Sequence, residues 1–343
     1  MEYYDGTKLL SMKDINGLDP ELYLCSTNRT AGKTTFYNRM LVNRFRKHKK
    51  KFGVLYRFSY ELEDVHNKFF SEIKKLFFPH HEMLSKNIGK GCAKELTLNG
   101  DVCGYAFALN NADQVKKISH LISIDSMVFD EFQSETNHYC PKEITKFLSI
   151  HKSLARGGGK QVKRLPVYML SNFVTLLNPY YTELGISAKL NSDTQYLRGD
   201  GYVVECTVND SASQALLSSG VSRAFKSNIY ISSASEKIYL NDNMVFIGKP
   251  TGRGIYIATF KFDGVEYGIR KYDSEGIIYC SKSIDRKCKV NISVTSDDHA
   301  PNFIMIQKHS LVINYLKDLF QHGCFRFEDL QCKQAVINML SLH

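Results

Sequence analysis

The sequence predicts an α/β protein with a mainly parallel sheet, followed by a smaller α+β region, and three observations carry that prediction. A short apolar strand, a small-residue loop and a helix opening at Gly32-Lys33-Thr34 succeed one another in LYLCSTNRTAGKTT, Leu22 to Thr35. A second apolar run, ISIDSMVFDEF from Ile122 to Phe132, ends with two consecutive carboxylates, Asp130 and Glu131. Strand-like and helix-like stretches alternate around both, the order that yields parallel strands joined by helical crossovers.

A chain of 343 residues is long enough for about two domains with full cores. Lys and Arg number 45 against 35 Asp and Glu, a formal charge of +10. Such a surplus suits a polyanionic partner, nucleic acid or an anionic membrane surface, and also serves solubility. No apolar run reaches the ~20 residues of a membrane span, and MEYYDG lacks the basic-then-apolar pattern of a secretory signal, so an intracellular protein is expected. The nine cysteines form no CxxC pair and are expected to be reduced and mostly buried. His80 and His81 are adjacent, without the spacing that places two imidazoles on one helix face, and are expected at the surface.

The first twenty residues are polar and turn-rich, ending at Leu18-Asp19-Pro20, and read as a lead-in. The loop that follows, Thr27-Asn28-Arg29-Thr30-Ala31-Gly32-Lys33-Thr34, fits the phosphate-binding pattern G-x-x-x-x-G-K-[ST] except at its first position. In such a loop, backbone N–H groups up to Thr35 cradle phosphates, Lys33 reaches the β and γ oxygens of ATP, and the Thr34 hydroxyl ligates Mg²⁺. Thr27 replaces the usual glycine, so a residue with a Cβ is expected to make a turn normally eased by positive φ. A fortuitous strand-Gly-helix turn is the plain alternative for so short a pattern. Tyr37, Leu41 and Phe45 then recur at helical spacing. The cations Arg39, Arg44, Arg46, Lys47 and Lys49 to Lys51 either complement the helix dipole or face DNA. Gly53 introduces the strand GVLYRF, Glu61 to Phe77 reads as an amphipathic helix, and Asn99-Gly100 marks a hairpin inserted between Cys92 and Leu109.

Asp130 and Glu131 suit the other half of an ATPase site: Asp130 would hold Mg²⁺ through its water shell while Glu131 orients and polarises the attacking water. A strand end capped by acids is the bland alternative. Lys33 and Thr34, roughly a hundred residues upstream, lie at an ordinary separation within one α/β domain and favour the catalytic reading. A helix starts at Pro141 with Ile144, Phe147, Leu148 and Leu154 on one stripe. It stops at Ala155-Arg156, before Gly157 to Gly159 and a loop carrying Lys160, Lys163 and Arg164. The strand LPVYMLSN ends at Ser171-Asn172, where a parallel sheet binds ligands, so Asn172 either senses the γ-phosphate or satisfies a turn.

Leu190 to about Asn243 is rich in Ser, Asp and Gly and reads as a linker with a small helical part. Ile255 to Tyr279 alternates across turns at Asp263-Gly264 and Asp273 to Gly276, predicting three antiparallel strands. Val312, Tyr315, Leu316 and Leu319 stripe a helix that Gly323 ends. Lys282, Arg286, Lys287 and Lys289 form a basic cluster, either a nucleic-acid contact or a solvated loop.

TNRTAGKT, VLYRFSYEL, MVFDEF, LARGGG, LSN and NPYY (Asn178 to Tyr181), in that order, resemble the phi29-type bacteriophage DNA packaging ATPases, or encapsidation proteins. The resemblance continues more weakly through the meander, TSDD, a helix and GCFRFED. It implies an ASCE-type P-loop ATPase domain over residues 1–190, a linker or hinge over 191–245, and an RNase H-like, nuclease-dead domain binding nucleic acid over 246–343. The implied activity is ATP- and Mg²⁺-dependent translocation of double-stranded DNA through the portal into an empty phage procapsid. A homo-oligomeric ring, a pentamer by the resemblance, would do this in the cytoplasm of the infected bacterial host, without a membrane; a structural RNA is a further candidate partner. In that family Lys33 and Thr34 would be the phosphate-loop pair, Asp130 and Glu131 the metal and water residues, and Arg156 an arginine supplied in trans. Arg29 is similar to an arginine common in packaging ATPases, and Lys117 falls near a second basic residue suspected of acting in trans. Two other functions stay open: a nuclease-competent terminase large subunit, for which Asp263, Asp297 and Asp298 must converge on metal, and a nucleic-acid-binding scaffold with a vestigial loop.

Overall fold

Strands buried on both faces read as continuous apolar runs, and pairing of such runs builds the larger sheet. The computed structural model describes residues 3–136, 138–156, 161–186, 189–190, 194–237, 239–240, 242 and 246–341. It divides into two units, Met1–Asn241 and Asp242–His343.

The first unit contains β1 (Leu22–Thr27), β2 (Lys51–Tyr56), β3 (Met83–Ile88), β4 (Ala93–Leu98), β5 (Asp101–Ala108), β6 (Ile124–Asp130), β7 (Val167–Ser171), β8 (Tyr196–Gly199) and β9 (Tyr202–Thr207). Their order is β3-β4-β5-β2-β6-β7-β1-β9-β8, parallel from β5 through β9 and antiparallel at both edges. Its helices are α1 (Thr7–Ser11), α2 (Lys33–His48), α3 (Glu72–Phe77), α4 (Ala112–Val115), α5 (Glu143–Leu154), α6 (Pro179–Glu183), α7 (Asp210–Leu217), α8 (Gly220–Ala224) and α9 (Ile229–Ser235). Alternate strand residues feed opposite faces. Leu24, Phe129 and Met169 pack with Phe147, Ile150 and Leu154 of α5, while Cys25, Val128 and Leu170 pack with Tyr37, Leu41 and Phe45 of α2. The carboxyl ends of β6, β7 and β1 therefore adjoin, forming the crevice in which a parallel sheet binds ligands.

Several sequence expectations change here. The presumed linker over 191–245 contributes β8 and β9 to the main sheet, with β9 paired to β1 over its whole length. Tyr202 to Cys206 are buried, and their apolar run was masked by polar flanks. The lead-in is likewise integrated: the Asp14 carboxylate accepts N–H groups of Asn16, Leu18 and Gly201. The hairpin is not an insertion, because β5 pairs in parallel with β2 and β3 extends the same edge. Glu61 to Phe77 is not one helix. A 3₁₀ turn (Ser59–Leu62), a π-helical segment (His66–Ser71) and α3 replace it, and the wider π turn accommodates adjacent Phe69 and Phe70, both buried. On α5 the inward stripe is Phe147, Ile150 and Leu154, leaving Leu148 exposed. Of the nine cysteines, none of which is in a disulfide, Cys25, Cys103, Cys140, Cys206, Cys280 and Cys332 are buried.

The second unit holds β10 (Ile255–Phe262), β11 (Val265–Tyr272), β12 (Ile277–Ser281), β13 (Asn291–Ser293), β14 (Ile304–Met305) and β15 (Phe325–Phe327). The order β14-β13-β10-β11-β12-β15 embeds the predicted antiparallel meander between parallel strands. Helices α10 (Ser310–Gln321) and α11 (Leu330–Ser341) cover it with Ile313, Leu316, Cys332, Val336 and Met339. Tyr315 of the predicted stripe is exposed instead. Asp263 and Gly264 both take positive φ, 54° and 79°, as a two-residue hairpin turn with right-handed strand twist requires.

Candidate active site

β1 carries the chain to the carboxyl edge of the sheet, where Thr27 is still paired with Thr207 and buried. The turn comes later, at Thr30 (φ 60°) and Gly32 (φ 97°). The expectation that Thr27 makes the turn is thus corrected: extended backbone has no need of glycine there. Asn28, fully buried, donates to the Asn209 carbonyl (3.0 Å) and Ser213 Oγ (2.8 Å) and accepts the Asn209 N–H (2.8 Å), fixing the loop to the start of α7. The Ala31 carbonyl accepts the Tyr4 N–H at 2.8 Å, and the Arg29 N–H donates to Ala234 at 3.0 Å. Gly32 caps α2 without a side-chain bond. The first N–H groups of this 16-residue helix, from Lys33 through Thr35, have no partner within the helix and form a site for an anion.

Three strand ends then bring the charged groups together. Lys33 Nζ donates to Asn172 Oδ1 at 2.8 Å, and the Thr34 hydroxyl donates to Asp130 Oδ2 at 2.9 Å. Asp130 Oδ1 accepts the Glu131 N–H at 3.0 Å. Desolvation holds the Lys33 ammonium below its ordinary range, with Asp130 opposing. Desolvation likewise pushes the Asp130 carboxyl up, against Lys33 and the Thr34 hydroxyl. Each charge is therefore held in place by the other. The Thr34 hydroxyl and Asp130 carboxylate offer two hard oxygen donors side by side, which suits Mg²⁺, an ion that takes few protein ligands beside water and phosphate oxygens.

Glu131 sits at φ 57°, a left-handed conformation that costs on the order of 1–3 kcal/mol for a residue with a side chain and is retained only when its surroundings enforce it. Arg57, at the end of β2, is what enforces it. Its Nη1 donates to the Glu131 carbonyl (3.1 Å) and its Nη2 to the Phe132 carbonyl (2.7 Å), while Nε meets Glu143 at 3.1 Å. Glu143 also accepts the Cys140 N–H (2.8 Å) and the Tyr180 hydroxyl (3.0 Å). Gln133, buried nearby, donates to Ser26 Oγ at 3.0 Å and accepts the Thr175 N–H at 2.9 Å, tying β1 to the chain after β7. Glu135 pairs with Arg29 and accepts from Asn172 at 3.4 Å. A cavity of ≈ 200 Å³ opens here, lined by Glu131, Asn172, Glu135, Arg57 and Tyr60. Sequence reading assigned no role to Arg57, Gln133, Glu135 or Glu143. An arginine at the carboxyl end of a parallel strand was the one available signal for Arg57.

Arg156 is not in this cluster. It follows α5, whose first residue, Glu143, meets Arg57 beside the crevice. Thirteen residues at 1.5 Å each put Arg156 about 20 Å further on. Its neighbour Ala155 accepts the Lys163 N–H, and Lys163 reaches the carbonyls of Ile122 and Ile124, at the opposite edge of the sheet. Arg156 is exposed and has no hydrogen-bond or ionic partner among the described residues; Gly157 to Lys160 lie outside them. Lys117 is exposed too, and Ser153 of α5 donates to the adjacent Lys116 carbonyl at 3.3 Å. In the second unit Asp298 spends its oxygens on the N–H groups of Asp263 (2.9 Å) and Gly264 (2.8 Å) and the Thr295 hydroxyl (2.7 Å). Among the described residues no group of three or more His, Cys, Asp or Glu side chains could hold a metal ion.

This geometry can be set beside known proteins. The family model for the podovirus DNA encapsidation protein (Gp16) matches residues 1–341. The DNA packaging protein of Bacillus phage phi29 is 23% identical over 331 residues, 95% of this chain and 93% of that protein. That of Bacillus phage B103 is 24% identical over 310 residues, 88% and 90% of the two chains. A chain of the bacteriophage phi29 genome packaging motor assembly shares the fold, with a TM-score of 0.74 at 22% identity and coverage of 100% and 99%. The N-terminal domain of the DNA packaging ATPase from phi29 gives 0.50 at 25% identity, covering 61% of this chain and 97% of that one. The chain belongs to the podovirus DNA encapsidation protein family.

Proposed function

We propose that this protein is an ATPase that drives double-stranded DNA into a viral procapsid through the portal. It would work as a homo-oligomeric ring, with a structural RNA as a further candidate component, in the cytoplasm of the infected bacterium. The observation that carries the reading is the 2.9 Å bond from Thr34 to Asp130, which joins the phosphate loop to the acidic strand end across 96 residues of sequence. A vestigial loop has no reason to keep a desolvated lysine, a hydroxyl and a carboxylate converged.

In this reading the N–H groups of the loop and Lys33 bind and orient the triphosphate, and Asn172, bonded to Lys33, contacts its γ end. Mg²⁺ held by Thr34 and Asp130 would neutralise charge on the phosphate oxygens. Glu131 accepts a proton from the attacking water, and its fixed backbone keeps the carboxylate aimed into the cavity. Arg156, remote from its own crevice, serves the neighbouring subunit's ATP. The second unit and the basic surplus provide nucleic-acid contact.

Two variants test the site. Lys33→Ala should abolish nucleotide binding, because Lys33 contacts phosphate in the ground state, whereas Glu131→Gln should bind normally and stop hydrolysis. Wild-type hydrolysis by Glu131→Gln would remove Glu131 from the role given to it. Mg²⁺-dependent plasmid nicking that is lost in Asp298→Asn would favour the terminase nuclease reading instead.

A further inference from the structure

Tyr3 combines exposure with unusually firm support. Its side chain is 72% exposed, yet the next residue, Tyr4, is 8% exposed and held from three directions. The Tyr4 N–H donates to the Ala31 carbonyl of the phosphate loop at 2.8 Å. The Tyr4 ring meets Phe36 of α2 edge-on, centroids 5.6 Å apart. Its hydroxyl donates to Glu205 Oε2 at 2.6 Å. Glu205, in β9, is itself buried and also accepts the hydroxyls of Tyr196 (3.1 Å) and Thr207 (3.0 Å). Burying a carboxylate is unfavourable unless its lone pairs are satisfied, so this is a costly anchor for what sequence alone reads as a lead-in. Gly6 keeps the segment close: a Cβ there would lie 2.7 Å from Phe36 Cε1.

The anchor places Tyr3 against the loop. Tyr3 Cδ1 lies 3.5 Å from the position a Cβ on Gly32 would take, one residue before Lys33. The site has a direction. Asn172 and Glu131 mark its γ-phosphate end on the β6 and β7 side of β1, so the nucleoside leaves on the other side, towards β9, where Tyr4 and Glu205 hold this segment. We propose that Tyr3 is the platform on which the base of the bound nucleotide stacks, a subsite for a nucleobase ring that rests on the nucleotide-binding reading above. Stacking on an aromatic face tolerates any base, and its loss lowers affinity about 5- to 150-fold.

The experiment compares Mg²⁺-ATP with inorganic tripolyphosphate, which has the phosphates and no base, binding to the full chain. Tyr3→Ala should weaken ATP by that factor and leave tripolyphosphate unchanged, and Tyr3→Phe should retain ATP affinity because the ring is kept. Unchanged ATP affinity in Tyr3→Ala, an equal loss for tripolyphosphate, or a Tyr3→Phe as weak as Tyr3→Ala would each overturn the proposal. Lys33→Ala separates the two readings: it should lose both ligands, and if it binds both as wild type does, the nucleotide site itself is wrong and the stacking platform falls with it.

Discussion

Two arginines, one at each end of α5, put the same side chain to opposite uses. Arg57 meets the first residue of the helix and is buried, with its guanidinium divided between Glu143 and the carbonyls of Glu131 and Phe132. The rings of Phe129 and Tyr139 flank it at 5.4 and 5.0 Å. Arg156 follows the last turn, exposed and without a partner among the described residues. A guanidinium with its donors spent can only hold what it touches; one whose donors meet no described residue can act on something that arrives. Arg57 therefore holds the backbone of Glu131, and on the proposed function Arg156 serves a site its own chain does not contain.

The contrast breaks most visibly at Arg156. On the proposed function, Arg156→Ala should bind ATP normally and hydrolyse it on the order of a thousandfold more slowly, with no change in Tm. Mixed with Lys33→Ala subunits it should recover part of the activity, because an intact phosphate loop can then sit beside a subunit that still has its arginine. Rings shown to contain both subunits yet giving no recovery would favour an arginine acting within its own subunit or in the helix cap, the latter worth under about 1 kcal/mol. Arg57→Ala should do the reverse, acting first on stability. Removing one partner of a buried ion pair costs about 3–5 kcal/mol, since Glu143 is left charged and uncompensated. Urea unfolding of Arg57→Ala at wild-type stability would show that the pair does not maintain the fold of the Glu131 segment. Arg57→Lys keeps the charge but not the planar fork, so a Lys variant with full hydrolysis would show that the two carbonyl bonds are dispensable.

The same distinction between spent and available groups explains what the sequence disclosed. Lys33, Thr34, Asp130, Glu131 and Asn172 were legible because each stands at a junction of strand and loop with a chemistry of its own. Arg57 and Glu143 were not, because their roles come from a contact across 86 residues that no local pattern encodes. β8 and β9 were missed because the strand signal was short and set among Ser, Asp and Gly, while tertiary pairing with β1 decided the outcome. The break between Glu61 and Phe77 was hidden for the opposite reason: the apolar content suited a helix, but Phe69 and Phe70 are both buried, which one amphipathic stripe does not allow. Asp263 was correctly located in a hairpin turn, yet only the structure shows that turn wrapped round the Asp298 carboxylate.

Asp298 extends the comparison to the second unit as a carboxylate that is fully spent. Burial raises its pKa, but the Thr295 hydroxyl and the N–H groups of Gly264 and Asp263 outweigh that and hold it below the ordinary value. A depressed folded-state pKa contributes stability at pH values above the unfolded-state pKa, and the contribution is lost as pH falls through the folded value. The second unit should therefore lose stability from about pH 4 downwards. Asp298→Asn should remove about 1–3 kcal/mol at neutral pH, flatten that acid response and leave ATP affinity unchanged. Denaturant titrations at several pH values would settle it; a variant as acid-sensitive as wild type would mean that another group dominates.

The smallest expected effect lies inside the phosphate loop, where one threonine is strained and another is not. Thr30 carries φ 60°, is exposed, and among the described residues its hydroxyl reaches only the preceding carbonyl, that of Arg29, at 2.6 Å. A left-handed conformation costs a residue with a Cβ roughly 1–2 kcal/mol, and glycine gives back about 0.5–1 kcal/mol of backbone entropy. Thr30→Gly should thus stabilise the protein by no more than about 1 kcal/mol. Thr27 has the opposite balance. It is buried, extended and paired in β1, so Thr27→Gly, which would restore the usual phosphate-loop glycine, should destabilise by about 1 kcal/mol or more through lost packing and added chain entropy. Thermal unfolding of the two variants gives shifts of opposite sign if the turn is made at Thr30. A stabilising shift in Thr27→Gly with none in Thr30→Gly would return the strain to Thr27, where the motif alone would have put it.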